Sequence, residues 1–255
     1  MRVSPKKELG QHFLVDENIL GVIGRLAELD PADVVLEVGP GLGVLTRYLA
    51  PRVAQVHAVE LDRSLEPWLR DIADNVTLHL GDALRLDLAE LAPGADKLVA
   101  NLPYNIATPL LVESLDGLPD VDLWCVMVQR EVADRLFAKP STKAYGAVSV
   151  LVQLATERSG LHPVSRTEFR PPPNVNSALV AFRRTGLPDD FPRLKKVVAA
   201  AFAHRRKTLP NSLELAGLAS RERAVEALAA IGRDASVRAE ALAPPEFLAL
   251  AEALR

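Results

Sequence analysis

Short apolar runs recur along the first two-thirds of the chain, at Val34–Val38, Gln55–Glu60, Val76–Leu80, Lys97–Asn101 and Leu123–Gln129, and read as strands. Between them, Leu42–Leu49, Ser64–Ile72, Leu86–Leu91 and Thr108–Leu115 place apolar residues at helical spacing. This alternation predicts a parallel sheet covered by helices on both faces. Ahead of it, Asp16 predicts an N-cap for a helix running to about Leu29, closed by Asp30–Pro31. Further on, a helix over Gly146–Leu154 precedes strands at Thr156–Pro163 and Ser177–Arg184, which flank a proline-rich turn at Arg170–Pro173. Gly186-Leu-Pro-Asp-Asp190 breaks the pattern, and beyond it only helices are expected: Phe191–His204, Ser212–Ala216, Arg221–Ala230 and Pro245–Leu254. The expected division is an α/β domain over 1–185 and a small all-helical domain over 186–255.

Composition narrows this picture without redirecting it. With 255 residues, 49% hydrophobic and 25% charged, the chain has the balance of an ordinary soluble globular protein, one large domain plus an appendage. Its single cysteine, Cys125, excludes an intramolecular disulfide and a cysteine-based zinc site, and its apolar surroundings predict a buried structural thiol. His57, His79, His162 and His204 have no metal-ligand spacing, so no metal is expected. No apolar stretch approaches the roughly 20 residues of a membrane span, and the first residues lack a signal-peptide core. A cytoplasmic protein with no membrane partner is expected.

A net charge of −3 excludes a generally basic nucleic-acid binder but not a local patch. Residues 183–210 carry +6, leaving −9 for the rest, so the chain is polarised. Within that stretch Arg205-Arg206-Lys207 follows an apolar helix and suits phosphate contacts, with Lys6 and Lys7 as a second basic spot.

Candidate chemistry collects at the ends of the expected strands. Glu37-Val-Gly39-Pro-Gly41-Leu-Gly43 leaves one strand and opens a helix, where glycines permit a tight turn and close approach of a ligand to the helix N-terminus. Alone this is a generic nucleotide loop. The G-x-G-x-G spacing, with a carboxylate two residues ahead, suits S-adenosylmethionine, whose ammonium and sulfonium are cationic; a pyrophosphate would be repelled. Glu60 ends the next strand, where an acid can bind ribose hydroxyls. Asp82, in Gly81-Asp82-Ala83, can reach an adenine amine or serve only as a turn aspartate. Asn101-Leu102-Pro103-Tyr104 offers the Asn101 side-chain oxygen and the Leu102 carbonyl to an exocyclic amine, with Tyr104 stacked on the base; otherwise it is a proline turn with a structural tyrosine. In a doubly wound sheet all these ends share one edge.

Taken in order, Gly10-Gln-His-Phe-Leu14, Glu37–Gly43, Asn101–Tyr104, Phe169-Arg-Pro-Pro-Pro-Asn-Val-Asn-Ser177 and Phe202-Ala-His-Arg-Arg-Lys-Thr-Leu209 resemble the ribosomal RNA adenine dimethyltransferases, in particular the bacterial small-subunit branch. The resemblance implies a Rossmann-like methyltransferase domain with a small helical C-terminal domain. It also implies dimethylation of N6 on two adjacent adenosines near the 3′ end of 16S rRNA in an immature 30S subunit, by a monomer using S-adenosylmethionine. By motif, His12 and Leu14 border the cofactor and Gly39 and Gly41 lie against its methionine part. Glu60 binds the ribose and Asp82, beside Ala83, binds the adenine. Asn101 meets both cofactor and amine, and Tyr104 and Phe169 sandwich the flipped base. Two positions depart from the family: His12 where many members have Asn, and Pro210 where Arg is common. A related large-subunit enzyme conferring macrolide resistance, a non-catalytic RNA-binding assembly factor and a nicotinamide dehydrogenase are the competing readings. The last is disfavoured by the glycine spacing.

Overall fold

A computed structural model of the protein describes residues 11–255. The basic pair Lys6 and Lys7 lies outside the described residues. The strands are β1 (Phe13–Leu14), β2 (Val34–Val38), β3 (Gln55–Glu60), β4 (Val76–Leu80), β5 (Lys97–Asn101), β6 (Leu123–Gln129), β7 (Thr156–Val164), β8 (Phe169–Arg170) and β9 (Ser177–Arg184). Seven of them form one sheet in the order β4-β3-β2-β5-β6-β9-β7, and β1 pairs with β8 separately. Strands β4 to β6 run parallel, as expected, while β9 lies antiparallel against β6, so the sheet is mixed. Strands β2, β5 and β6 are buried almost throughout, which is why their sequences are nearly continuous apolar runs. The strand order reverses between β2 and β5, and that reversal opens a crevice beyond their carboxyl ends.

One core lies between the sheet and the first helix, Glu17–Leu26, with Ile19, Leu20 and Ile23 packed against Val35, Val56, Val99 and Met127. Asp16 caps that helix through the Asn18 N–H at 2.6 Å, as its sequence position predicts. The helix stops short of Leu29, and Glu28 takes a left-handed conformation (φ 48°). Cys125 is buried in this core, and burial pushes its thiol up to about 12, the state of an inert structural cysteine.

The chain forms two compact units, Met1–Ala133 with Glu157–Arg184, and Asp134–Thr156 with Thr185–Arg255. This differs from a single cut at 185, because Asp134–Thr156 is tied to the C-terminal helices. Within the second unit the buried Tyr145 hydroxyl donates to the Leu242 carbonyl (2.8 Å), and the Ser141 N–H donates to the Glu240 carbonyl (2.7 Å). That unit is helical, with Ala147–Ala155, Phe191–Ala203, Leu209–Leu215, Arg221–Ala230 and Pro244–Ala253. Pro210 is buried in the first turn of its helix, where a missing N–H costs no hydrogen bond. No helix among the described residues is long and apolar enough to cross a membrane.

Candidate active site

The crevice is a cleft of about 960 Å³, open solvent included, lined along its floor by the ends of β2 to β5. It gathers Glu37, Gly39, Gly41, Glu60, Asp82, Ala83 and the whole Asn101–Tyr104 loop, together with His12 and Leu14 from the N-terminal segment. Residues up to 92 apart in the chain thus share one hollow because parallel strands all end at the same sheet edge.

The glycine turn is shaped for close approach. Gly39 and Gly41 both have positive φ (76° and 61°), and a Cβ on Gly39 would lie 2.9 Å from Pro103 Cδ. A Cβ on Gly41 would meet the Phe13 ring at 3.0 Å. The turn is therefore held between the Asn101–Tyr104 loop and the N-terminal segment with no room for a side chain.

The two leading acids differ in their surroundings. Glu60 is 6% exposed, and its carboxylate accepts from the Gly41 N–H (3.1 Å) and the Asp62 N–H (2.8 Å). Burial raises its pKa, and those donors oppose the rise. Glu37 is 1% exposed and its Oε2 has no hydrogen-bond partner. Burial pushes Glu37 up to about 8; the Thr46 hydroxyl acts to lower it without reaching hydrogen-bond geometry, and the Glu60 charge adds to the rise. A buried carboxyl with an unmet oxygen is suited to a ligand that brings a positive charge.

This arrangement has a consequence for stability. Between the ordinary carboxyl value near 4.5 and about 8 the folded protein keeps a proton on Glu37 that the unfolded chain has lost, so stability falls as pH rises through that window. We expect the ligand-free protein to melt lower at pH 8 than at pH 6, and Glu37→Gln to flatten the dependence. Parallel melting curves for parent and variant across this range check it; identical slopes would remove Glu37 as the cause.

Asp82 forms a turn and also faces the cleft. Its Oδ1 accepts from the Leu84 N–H (3.0 Å), an aspartate turn, and the carboxylate lines the cleft with Arg85 Nε 3.5 Å from Oδ2. In the loop after β5, Asn101 Nδ2 donates to the His12 carbonyl (3.1 Å), which leaves the amide oxygen for the cleft. The Leu102 N–H donates to the Met127 carbonyl (3.1 Å) and pins the loop to β6. The Tyr104 hydroxyl shares a 2.6 Å bond with Ser177 Oγ, and burial raises its pKa, so the phenol is neutral at physiological pH.

The ring of Phe169, which the resemblance sets against the target base, lies in the core. It is fully buried, paired with Leu14 across β1 and β8 in the hydrophobic core, and it does not line the cleft. Its ring packs where β8 pairs with β1, the segment that brings His12 to the cleft. Two cleft residues, Leu61 and Gln11, are not among the site residues expected from the sequence. Leu61, 51% exposed, gives an apolar wall beside Glu60. Gln11 Nε2 donates to Asp62 Oδ2 (3.0 Å), linking the N-terminal segment to the loop after β3. The glycine motif and Glu60 bracket this region, but a two-residue strand and a single side-chain bond leave no periodicity to read.

The charge stretch 183–210 is also divided by the fold. Arg183 pairs with Glu28 and Asp122, and Arg184 donates to the carbonyls of Leu115, Leu118 and Val121 in the first unit. Arg205 is exposed, yet its guanidinium donates to the Tyr145 carbonyl (3.0 Å) and lies 3.5 Å from Glu240. Arg206 and Lys207 are exposed beside it. His57 Nδ1 and His79 Nε2 come within 3.3 Å across β3 and β4, a pairing set by register alone. Among the described residues no group of three or more metal-ligating side chains occurs.

A Rossmann-like sheet with a glycine turn, two buried acids and an Asn-x-Pro-aromatic loop at its switch point defines a methyltransferase of the α/β class. A model of the ribosomal RNA adenine dimethylase family matches residues 2–254, and the chain belongs to that family. It is 48% identical over 250 residues to ribosomal RNA small subunit methyltransferase A of Rubrobacter xylanophilus, spanning 96% of this chain and 94% of that protein. The protein of that name from Pelotomaculum thermopropionicum is 46% identical over 98% of this chain and 91% of its own length. Among solved structures, a dimethyladenosine transferase from Plasmodium falciparum shares the fold with a TM-score of 0.76 at 23% identity, covering 94% of this chain and 96% of that one. The 23S rRNA methyltransferase ErmE aligns with a TM-score of 0.65 at 28% identity, covering 95% and 99%.

Proposed function

We propose that this protein transfers methyl groups from S-adenosylmethionine to N6 of two adjacent adenosines near the 3′ end of 16S rRNA, acting as a cytoplasmic monomer on an immature 30S subunit. One observation carries the chemistry: Glu37, Glu60, Asp82 and Asn101 converge on a single cleft in which the Asn101 amide nitrogen is already committed to His12. The choice of the small-subunit substrate is supported by the 48% identity to a small-subunit enzyme against 28% to ErmE.

The cleft fits S-adenosylmethionine on three counts. Glu37 Oε2 is an unmet buried acceptor for the ammonium, the positive-φ turn at Gly39 and Gly41 is a cradle a Cβ would fill, and Glu60 and Asp82 are acceptors for ribose hydroxyls and an adenine amine. Leu61 and Ala83 supply apolar walls. When bound, the group supplies an activated methyl on a sulfonium. The chain supplies position: Asn101 Oδ1 and the Leu102 carbonyl accept from the N6 hydrogens, which draws the nitrogen lone pair out of ring conjugation and turns it toward the cofactor. Tyr104 holds the base face, with its hydroxyl anchored on Ser177. The proton released on transfer passes to water, so no general base is required.

Arg206 and Lys207 are the phosphate contacts we assign in the second unit, while Arg205 chiefly holds the 143–145 segment. Arg206→Ala with Lys207→Ala is expected to lower the slope of log affinity against log salt by about 1.4–1.8, from ~0.7–0.9 per phosphate contact. Filter binding to 30S particles over a salt series checks this, and an unchanged slope would remove the pair from the interface. The function itself is tested by offering labelled S-adenosylmethionine with immature 30S, mature 30S and large-subunit rRNA in parallel and mapping the modified base. Label confined to large-subunit RNA would overturn the reading.

A further inference from the structure

A cation stands at the rim of the cleft with its Nε and Nη2 donors unused. Arg170 pairs with Phe13 across β8 and β1, and directly opposed residues of an antiparallel pair project to the same face with Cβ atoms about 4.5–5.5 Å apart. Phe13 lines the cleft, whereas Leu14 and Phe169, the next pair along, are buried in the core. Alternation along the strands therefore sets the exposed Arg170 side chain beside a cleft-lining ring. Its Nη1 donates to the carbonyls of Thr167 (3.0 Å) and Phe169 (2.9 Å), which uses both hydrogens of that nitrogen and holds the guanidinium in place. Among the described residues no carboxylate pairs with it, and Glu168, two residues before it, accepts from the Thr167 hydroxyl (3.1 Å) instead. Arg184 is the contrast, since all three of its nitrogens donate to carbonyls.

We propose that Arg170 is a phosphate clamp on the rim of the cleft, where its Nε–Nη2 edge takes a backbone phosphate flanking the target adenosine. The proposal rests on the reading that an RNA adenosine enters this cleft. A nucleotide that enters base-first leaves its phosphates outside, at the rim. The hollow itself does not attract them: Glu60 and Asp82 line it, and carboxylates repel a polyanion. A cation on the rim offsets that field where the backbone must approach. Two parallel N–H donors match two oxygens of a phosphate, and because Nη1 is already fastened, little side-chain freedom is lost on binding. The contact carries no base information; it sets how far the nucleotide reaches into the cleft.

The test uses the parent, Arg170→Ala and Arg170→Lys. It measures affinity for immature 30S by filter binding over a salt series, kcat and KM for methylation, and S-adenosylhomocysteine affinity by calorimetry. Arg170→Ala is expected to lower the slope of log affinity against log salt by about 0.7–0.9, one phosphate contact. Its KM for 30S is expected to rise roughly tenfold, the lower end for a hydrogen bond to a charged group, with kcat near the parental value. Arg170→Lys is expected to keep the parental slope and to recover only part of the KM, since the charge returns without the fork. S-adenosylhomocysteine affinity stays parental in both. An unchanged slope in Arg170→Ala would make the residue a structural tie for its turn and overturn the proposal. A fall in S-adenosylhomocysteine affinity would assign the guanidinium to the cofactor's carboxylate, and a lysine slope as low as that of alanine would show that charge is not the working part; either overturns it. A parent that does not bind immature 30S, or binds it and methylates no adenine, brings down the functional reading and the proposal with it. The other outcomes keep the parent active and bear on Arg170 alone.

Discussion

Replacing Asn101 with alanine is expected to lower methyl transfer by roughly 10²- to 10³-fold, the cost of deleting one preorganised polar group from an active site. The side chain sits at the carboxyl end of β5, half-buried, with its nitrogen held by the His12 carbonyl at 3.1 Å. That bond fixes which end of the amide faces the amine. Alanine removes the acceptor and also releases the N-terminal segment from the catalytic loop. The sheet does not depend on it: the Leu102 N–H to Met127 bond and the β5–β6 register both belong to the backbone. Circular dichroism and the melting temperature should therefore change little while single-turnover methylation collapses. Turnover within a few-fold of the parent would remove Asn101 from the chemistry. Asn101→Asp is an informative companion, since it restores an acceptor but loses the donor that binds His12.

Gly39→Ala is expected to cost about 2–5 kcal/mol, from a left-handed residue gaining a Cβ and from overpacking against a rigid ring. The new methyl would stand 2.9 Å from Pro103 Cδ and 3.0 Å from Cγ, and a proline ring cannot rotate away. Relief must come from shifting the Asn101–Tyr104 loop, so activity should disappear even in the fraction that remains folded. Gly94→Ala is the control. It has a similar φ (+73°) but open space where the Cβ would stand, so it loses only the backbone term and keeps activity. Thermal melting and cofactor affinity of the two variants side by side decide the matter. Equal effects would mean that the left-handed backbone, and not the contact with Pro103, sets the requirement for glycine.

Much of this site is legible along the chain. The strands β2 to β6 stand where the apolar runs put them, because a strand buried on both faces must be apolar nearly throughout. Since parallel strands finish at one edge, the residues that follow them, Gly39, Glu60, Asp82 and Asn101, had to meet once the strand–helix alternation was recognised. Turn chemistry is equally local: Asp16 caps its helix, and the glycines take the positive φ that their motif requires.

Other features depend on contacts that composition and periodicity do not record. The pairing of β1 with β8 spans two residues on each side, too short for any pattern, yet it buries Phe169 and delivers His12 to the cleft. The +6 of residues 183–210 is not all free for a ligand: Arg183 and Arg184 end a strand of the first unit and are used up there by acids and carbonyls. Likewise the segment Asp134–Thr156 joined the C-terminal helices, since the hydroxyl of a buried Tyr145 finds its acceptor at Leu242, 97 residues away.

The α/β class, the sheet edge that gathers the candidate residues and the residue types found there are all readable along the chain. These follow from local periodicity and from turn geometry, which are properties of neighbouring residues. The folded chain alone sets which rings line the cleft, which end of the Asn101 amide is available and which cations remain outside internal ion pairs. Each of those is a choice among partners distant in sequence, and such choices are made by burial and hydrogen-bond satisfaction in the folded chain.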